Sequence, residues 1–291
     1  MNDKPGTLYV VATPLGNRQD LSPRAADVLR TVPIIAAEDT RTARRLLAEL
    51  GIALGERRLM SCFDANEAGR ATELAGLLRA GADVALVSDA GTPLLSDPGF
   101  RVVTAAVEAG VQVVPVPGAS ALLAALVGAG LPTDQFTFLG FPPRKPGARR
   151  RLFESVRALP FTLVFYESPM RTGATLADLA GVLGAQRLAC VARELTKPYE
   201  EFVRGTLGDL AARYRDDRPL GEITLVVAGA GSGTPADGEE LDDDELAARV
   251  DRLLADGQSA RDIADTLAAA TGRPRRAIYQ LVVERAEKEE D

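Results

Sequence analysis

Short runs of β-branched and aliphatic residues alternate with longer stretches in which apolar positions recur every three or four residues, and this rhythm persists through the first 140 residues. The runs at 8–12 (LYVVA), 34–37 (IIAA), 84–88 (VALVS) and 111–116 (VQVVPV) predict strands, each followed by a helix. A βα repeat of this kind builds a mostly parallel sheet. Ser22 and Pro23 supply an N-cap and a first-turn proline ahead of Leu29, and Ser120, just after Pro117 and Gly118, opens an apolar helix through Val127.

The rhythm breaks between residues 140 and 160, where Pro142, Pro143 and Pro146 precede a basic helical stretch beginning near Ala148. A domain boundary is expected there, giving an N-terminal α/β domain over 1–140 and a second α/β domain over 141–229. The second has strands at 162–166, 188–192 and 222–228, with helices after Ser168 and Thr206. Residues 229–240, GAGSGTPADGEE, have the composition of a linker. Beyond it, the acidic cluster 242–245 begins a helical domain over 241–291. Ser259 and Asp262 resemble a capping box with Asp in place of Glu, Gly272 and Pro274 mark a turn, and Ile278, Leu281 and Val282 share one apolar face. Helix-turn-helix is the expected arrangement.

Composition narrows the chemistry. Of 291 residues, 46% are apolar and 26% charged, an ordinary soluble balance. There is no histidine, which removes Ser-His-Asp triads, Cys-His dyads, HExxH metal sites and histidine proton shuttles together. Cys62 and Cys190 lack CxxC spacing, so neither a zinc site nor a disulfide framework is expected, and no metal is expected at all. The N-terminus carries no apolar targeting core and no apolar run reaches spanning length, so the expected location is cytoplasmic, with no membrane partner. A net charge of −7 argues against indiscriminate nucleic-acid binding; DNA is not an expected partner, and an RNA would have to be held by local basic patches. Such patches exist: Arg144, Lys145, Arg149, Arg150 and Arg151 put five positive charges into eight residues, and Arg273, Arg275 and Arg276 cluster in the tail.

In open α/β sheets ligands settle beyond the carboxyl ends of the strands. The loops there are 13–17 (TPLGN), 38–41 (EDTR), 89–93 (DAGTP) and 117–120 (PGAS). Gly91, Gly99 and Gly118 would admit a ligand close to the backbone, yet neither GxGxxG nor GxxxxGK[ST] is present, which disfavours pyrophosphate cofactors. Taken alone, the residues point to a small molecule with few phosphates.

Seven stretches together carry a family resemblance: LYVVATPLGNRQDLSPRA (8–25), IIAAEDTRTARRLL (34–47), VALVSDAGTPLLSDPGFRVV (84–103), VVPVPGASALLAAL (113–126), FYESPMR (165–171), ARELTKPYEE (192–201) and GEITLVVAG (221–229). They resemble the ribosomal RNA small subunit methyltransferase I branch of the tetrapyrrole methylase superfamily, over essentially the whole chain. The resemblance implies two α/β domains of the tetrapyrrole methylase type with S-adenosylmethionine in the cleft between them, a small helix-turn-helix-like C-terminal domain, a homodimer, and 2'-O-methylation of a cytidine in the decoding region of 16S ribosomal RNA within the small subunit. Cofactor contacts implied by motif position are Leu15, Thr92, Leu95, Ser120 and Ala121, with Tyr166, Ala192 and Ile223 from the second half. One departure concerns the stretch after the third strand, where the family often has a histidine-rich run ending in Asn-Glu; here it reads Cys62-Phe63-Asp64-Ala65-Asn66-Glu67.

Methyl transfer from a sulfonium to an alcohol is an in-line displacement that needs positioning, no metal, and at most a base for the hydroxyl proton. Without histidine, the expected base is a carboxylate, Glu38 or Asp39 first and Glu67 second, or else Lys197, with Arg41, Arg193 and the basic clusters holding RNA. Two alternatives share these features: a catalytically silent RNA-binding ribosome-assembly protein, and a porphyrin-precursor C-methyltransferase.

Overall fold

Ten strands and eleven α-helices succeed one another in the computed structural model, which describes residues 4–216, 219–231, 242–271 and 273–289. Most of the expected linker and the turn residue Gly272 lie outside the described residues.

The first sheet consists of β1 (Thr7–Val11), β2 (Ile34–Ala37), β3 (Arg58–Ser61), β4 (Val84–Val87) and β5 (Gln112–Val116), all parallel in the order β3-β2-β4-β1-β5. Every residue of β2 and β4 is buried, as a parallel sheet with both faces covered requires. The side-chain alternation is explicit: Ile34, Ala36, Val84 and Leu86 enter one core, and Ile35, Ala37, Ala85 and Val87 the other. Helices α3 (Glu67–Arg79) and α4 (Phe100–Glu108) cover the first face, with Leu74, Leu78, Val102 and Ala106 packed into that core. On the opposite face α1 (Pro23–Thr31) and α2 (Thr40–Glu49) contribute Leu29 and Leu47. Ser22 caps α1, its hydroxyl accepting the Ala25 N–H at 3.1 Å, with Pro23 in the first turn as expected.

The second sheet is mixed, in the order β6-β7-β10-β8-β9, from β6 (Phe136–Phe138), β7 (Thr162–Glu167), β8 (Leu188–Arg193), β9 (Glu201–Thr206) and β10 (Ile223–Val227). β10 runs antiparallel to both neighbours, and β8 pairs antiparallel with β9. One face packs against α6 (Pro146–Val156), α7 (Thr172–Leu183) and α8 (Leu207–Arg213) through Phe153, Leu176, Leu179 and Leu207. The other receives α5 (Ala121–Gly128), whose Leu122, Ala125 and Leu126 pack with Val164, Cys190, Ala192 and Val226. Because α5 follows the last strand of the first sheet yet buries its apolar side on the second, it locks the two halves together.

In the tail, α9 (Asp243–Ala255), α10 (Ala260–Thr271) and α11 (Arg275–Glu289) share a small core of Leu246, Val250, Ile263, Leu267, Ile278 and Val282. The acidic run at its start is a full capping box: Asp242 accepts the Glu245 N–H at 2.8 Å while Glu245 accepts the Asp242 N–H at 3.2 Å.

Candidate active site

The carboxyl ends of the first sheet are tied together before any ligand arrives. Thr13 and Gly91 exchange two backbone hydrogen bonds, at 2.8 and 3.0 Å, and the Thr92 hydroxyl donates to the Ala119 carbonyl at 3.0 Å. Between Gly91 and Gly99 the chain twice adopts a left-handed conformation at non-glycine residues, Leu94 (φ 74°) and Ser96 (φ 72°). Such residues cost on the order of 1 kcal/mol each and persist where surrounding contacts over-determine them. A visible contact of this kind is Glu67, whose carboxylate accepts the N–H groups of Gly99 (2.8 Å) and Arg101 (2.9 Å) at the start of α4.

The second half answers with its own braced turn. Glu194 (φ 51°) and Thr196 (φ 66°) are again left-handed. The Glu194 carboxylate accepts the Glu222 N–H at 3.0 Å and pairs with Lys197 at 2.9 Å. Gly221 (φ 89°) must be glycine, because a Cβ there would lie 2.1 Å from Glu194 Oε1. The two halves meet where the Thr196 hydroxyl accepts the Asn17 N–H at 3.2 Å and where the Tyr166 hydroxyl accepts the Leu122 N–H at 3.2 Å.

Between these walls lies a cavity of about 400 Å³, a volume typical of small-ligand sites. Of the sequence-derived contacts, the structure brings Leu15, Glu38, Thr92, Leu95, Ala121, Tyr166 and Ile223 to its lining. It does not bring Ala192, which is fully buried under α5, nor Ser120 itself. Ser120 sits at the N-cap position of α5 but makes no cap bond; its hydroxyl is buried without a partner, next to the cavity-lining Ala121.

Asp39, Glu67 and Lys197 do not line the cavity either. Asp39 caps α2, its carboxylate accepting the Arg41 N–H at 2.8 Å and pairing with the Arg41 guanidinium, which holds its pKa down at about 2. Glu67 is buried and committed to the α4 N-terminus, so the expectation of a base at this position gives way to a brace. Lys197 is held between Glu194 and Glu222. Burial is the largest influence on it and opposes its charge, yet these two carboxylates prevail and raise its pKa, which ill suits a neutral base.

The basic cluster at 144–151 divides. Arg144, Lys145, Arg150 and Arg151 are exposed, whereas Arg149 is buried and donates through Nε to Asp178 at 2.7 Å. Arg149 is therefore part of the core of the second half and offers no surface to RNA. Arg193 pairs with Glu201 at 3.1 Å. In the tail, Arg273 pairs with Asp243, Arg275 pairs with Asp265, and Arg276 is exposed.

What sequence reasoning missed is Asp97. It lines the cavity with Glu38 and Asp89, and burial first, then the Glu38 charge, push its pKa up to about 7 against the opposing influence of the nearby Ser88 hydroxyl. Glu38 is raised mainly by burial as well, its carboxylate accepting the Asp89 N–H at 3.3 Å. The Ser-Asp-Pro-Gly run lies in a stretch that carries the family resemblance and its Gly99 is expected near a ligand, but nothing local marks its aspartate as facing a crevice. Cys62 and Cys190 are buried, their thiols pushed up to about 11 by desolvation, which leaves them unreactive.

The lining suits a cation carrying apolar parts. Leu15, Leu95, Ala121, Tyr166 and Ile223 offer flat and aliphatic surface, while Glu38 and Asp89, with Asp97 partly ionised, make the site negative. A phosphate-rich cofactor would be repelled; a sulfonium with an amino group would be attracted. Beside the lining, the buried Ser120 hydroxyl is left without a partner. S-adenosylmethionine fits this set. Among the described residues, no cluster of three or more metal-ligating side chains occurs, and no helix is long and apolar enough to cross a membrane.

Comparison with known proteins agrees with this geometry. The family model of the tetrapyrrole (corrin/porphyrin) methylases matches residues 7–211. A protein of Micromonospora olivasterospora named ribosomal RNA small subunit methyltransferase I is 50% identical over 95% of this chain and 86% of its own length. A Pseudomonas aeruginosa protein of the same name is 44% identical over 97% of this chain and 99% of its own. Among solved structures, the uroporphyrin-III C-methyltransferase of Thermus thermophilus complexed with S-adenosylhomocysteine shares the fold, with a TM-score of 0.55 at 22% identity over 77% of this chain and 98% of that one. Diphthine synthase does so with a TM-score of 0.58 at 16% identity over 77% and 90%. The chain belongs to the tetrapyrrole methylase family and, within it, to the ribosomal RNA small subunit methyltransferase I branch.

Proposed function

We propose that the protein is an S-adenosylmethionine-dependent methyltransferase that modifies the ribose 2'-hydroxyl of a cytidine in 16S ribosomal RNA of the small subunit. The observation that carries this reading is the acidic, partly apolar cavity between two braced walls, in a chain whose well-covered relatives are named as ribosomal RNA methyltransferases. When bound, the cofactor supplies an electrophilic methyl on a sulfonium sulfur. Leu15, Leu95, Ala121, Tyr166 and Ile223 would pack its apolar parts, with Thr92 as a polar contact.

The negative lining also sorts the substrate. Phosphates are kept out of the cavity and only a neutral sugar hydroxyl is admitted, so the RNA backbone must be held outside, by the exposed Arg144, Lys145, Arg150 and Arg151 on and before α6 and by the tail around Arg276. Most of the acceleration comes from alignment of the acceptor oxygen with the methyl group, for which two pre-tied walls are suited. The same reading makes the protein a cytoplasmic homodimer; Leu123 and Val127 on α5 and Phe100 and Val107 on α4 offer exposed apolar surface for pairing.

The test is transfer of labelled methyl to small subunits lacking this modification, with nuclease mapping of the product to a 2'-O-methylated cytidine. Purified protein should bind one S-adenosylmethionine per chain by calorimetry, and Thr92→Trp should abolish both. Saturable binding without methyl transfer would favour the silent assembly-protein alternative, and methylation of a porphyrin precursor in place of RNA would overturn the substrate.

A further inference from the structure

Resting on that functional reading, we propose that Asp97 is the proton acceptor for the substrate hydroxyl, held by a turn that Glu67 braces, and that Glu38 beside it tunes the step without performing it.

The carboxylates of the cavity differ in what already occupies them. Glu167 accepts from Thr175 and Arg171, Glu222 pairs with Lys197, and Asp89 accepts the Asp39 N–H at 3.1 Å. Glu38 accepts the Asp89 N–H. Asp97 has near it the Ser88 hydroxyl, which itself donates to the Ala90 carbonyl at 3.3 Å, and no cation among the described residues is paired with it. It is thus a cavity carboxylate with lone pairs to spare.

Its backbone is fixed on both sides. Upstream, Leu94 and Ser96 are left-handed; downstream, Gly99 (φ 129°) lies so close to the sheet that a Cβ would approach Leu86 Cδ2 at 2.8 Å. The Glu67 carboxylate, hydrogen-bonded to the Gly99 and Arg101 N–H groups, closes the turn from behind. A strained, over-determined turn that presents one carboxylate to a cavity is the arrangement in which strain serves function.

The charged and titratable groups facing Asp97 are Glu38 at the end of β2, Asp64 after β3, Asp89 after β4 and Tyr166 on β7. Tyr166 is uncharged near neutral pH, but the three carboxylates each disfavour a further negative charge, and burial acts the same way. The consequence is a carboxylate that titrates near neutrality, where a general base is most effective. In the step itself, the ribose oxygen forms its bond to the methyl carbon as the carbon–sulfur bond breaks and leaves its electron pair on sulfur. The hydroxyl proton passes to Asp97 and later to water.

The experiment is single-turnover methylation of unmodified small subunits at saturating cofactor, from about pH 5 to about pH 9, with ¹³C-carboxyl NMR titration and cofactor calorimetry of the same proteins. Wild-type turnover should fall about tenfold per unit below about pH 7. Asp97→Asn should lose about a hundredfold or more and its acidic limb, should still bind cofactor, and should lack the near-neutral carboxyl resonance in the ligand-free protein. Asp97→Glu should recover part of the rate. Glu38→Gln should keep the acidic limb but move its midpoint to lower pH, because one negative neighbour is gone. The proposal is overturned if Asp97→Asn retains a near-normal rate and limb, or if Glu38→Gln abolishes the limb and so becomes the acceptor. Wild-type protein that transfers no methyl at any pH overturns the functional reading beneath it, whereas an active wild type with an indifferent Asp97→Asn overturns this proposal alone.

Discussion

The cavity wall and the shell behind it are built from the same residue type to opposite ends. On the wall, Glu38 and Asp97 are desolvated without a cation, and their pKa values rise. Behind it, Glu67 and Glu194 are each answered by backbone N–H groups or by a cation. The basic residues divide in the same way: Arg149 is buried against Asp178, while Arg144 and Arg151 reach solvent. What a charged residue does here is decided by how completely its partners satisfy it, and each contrast can be broken by substitution.

The largest effect is expected inside the shell. Arg149→Ala would strand Asp178 with only the partly exposed Arg150, and breaking a buried pair costs about 3–5 kcal/mol, so a loss near the lower bound should appear in denaturant unfolding. Arg144→Ala should leave the same curve unmoved. If the two variants unfold alike, the division of the basic cluster is wrong.

Next comes the wall. The folded pKa of Asp97, about 7, lies above its value in an unfolded chain, about 3.9. Folding therefore favours the protonated form, and this group's contribution to stability declines as pH rises from about 4 to about 7. Asp97→Asn should accordingly be more stable than wild type at pH about 8, by on the order of 1 kcal/mol once solvent screening of the partly open site is allowed for, and equal to it near pH 4. Thermal melts at the two pH values give the answer; a gain that persists in acid would point to packing instead.

Glu67→Gln should cost about 1 kcal/mol, as loss of a charged helix cap does, while the midpoint of the methylation profile stays in place. A profile whose acidic limb vanished in this variant would return Glu67 to the role of base. The smallest change belongs to the exposed arginines: neutralising Arg144, Arg151 or Arg276 should each reduce the salt dependence of subunit binding by roughly one ion, with no change in melting temperature.

The strands that sequence pattern missed are β3, β6 and β9, and all three are sheet edges. An edge strand is half solvated, so β9 (EFVRGT) lacks any fully buried residue and β6 is only three residues long. Neither presents the apolar run on which strand prediction depends. The interior strands β2 and β4, apolar throughout, could not be missed. The antiparallel course of β10 was equally hidden, since a strand's direction leaves no trace in its own composition.

By itself, then, the chain's sequence determined the βα alternation, the apolar interior strands, the capped helix starts, the exclusion of histidine chemistry and, through its motifs, the family. Those properties are local, set by each segment's own pattern and backbone preference. Only the tertiary structure decided which carboxylates face the cavity and which are spent on N–H groups: Glu67 and Asp97, 30 residues apart in sequence, become brace and wall of one turn because α3 packs beside α4. Burial, partner and charge environment are properties of neighbours brought together by folding, and it is these that set a side chain's chemistry.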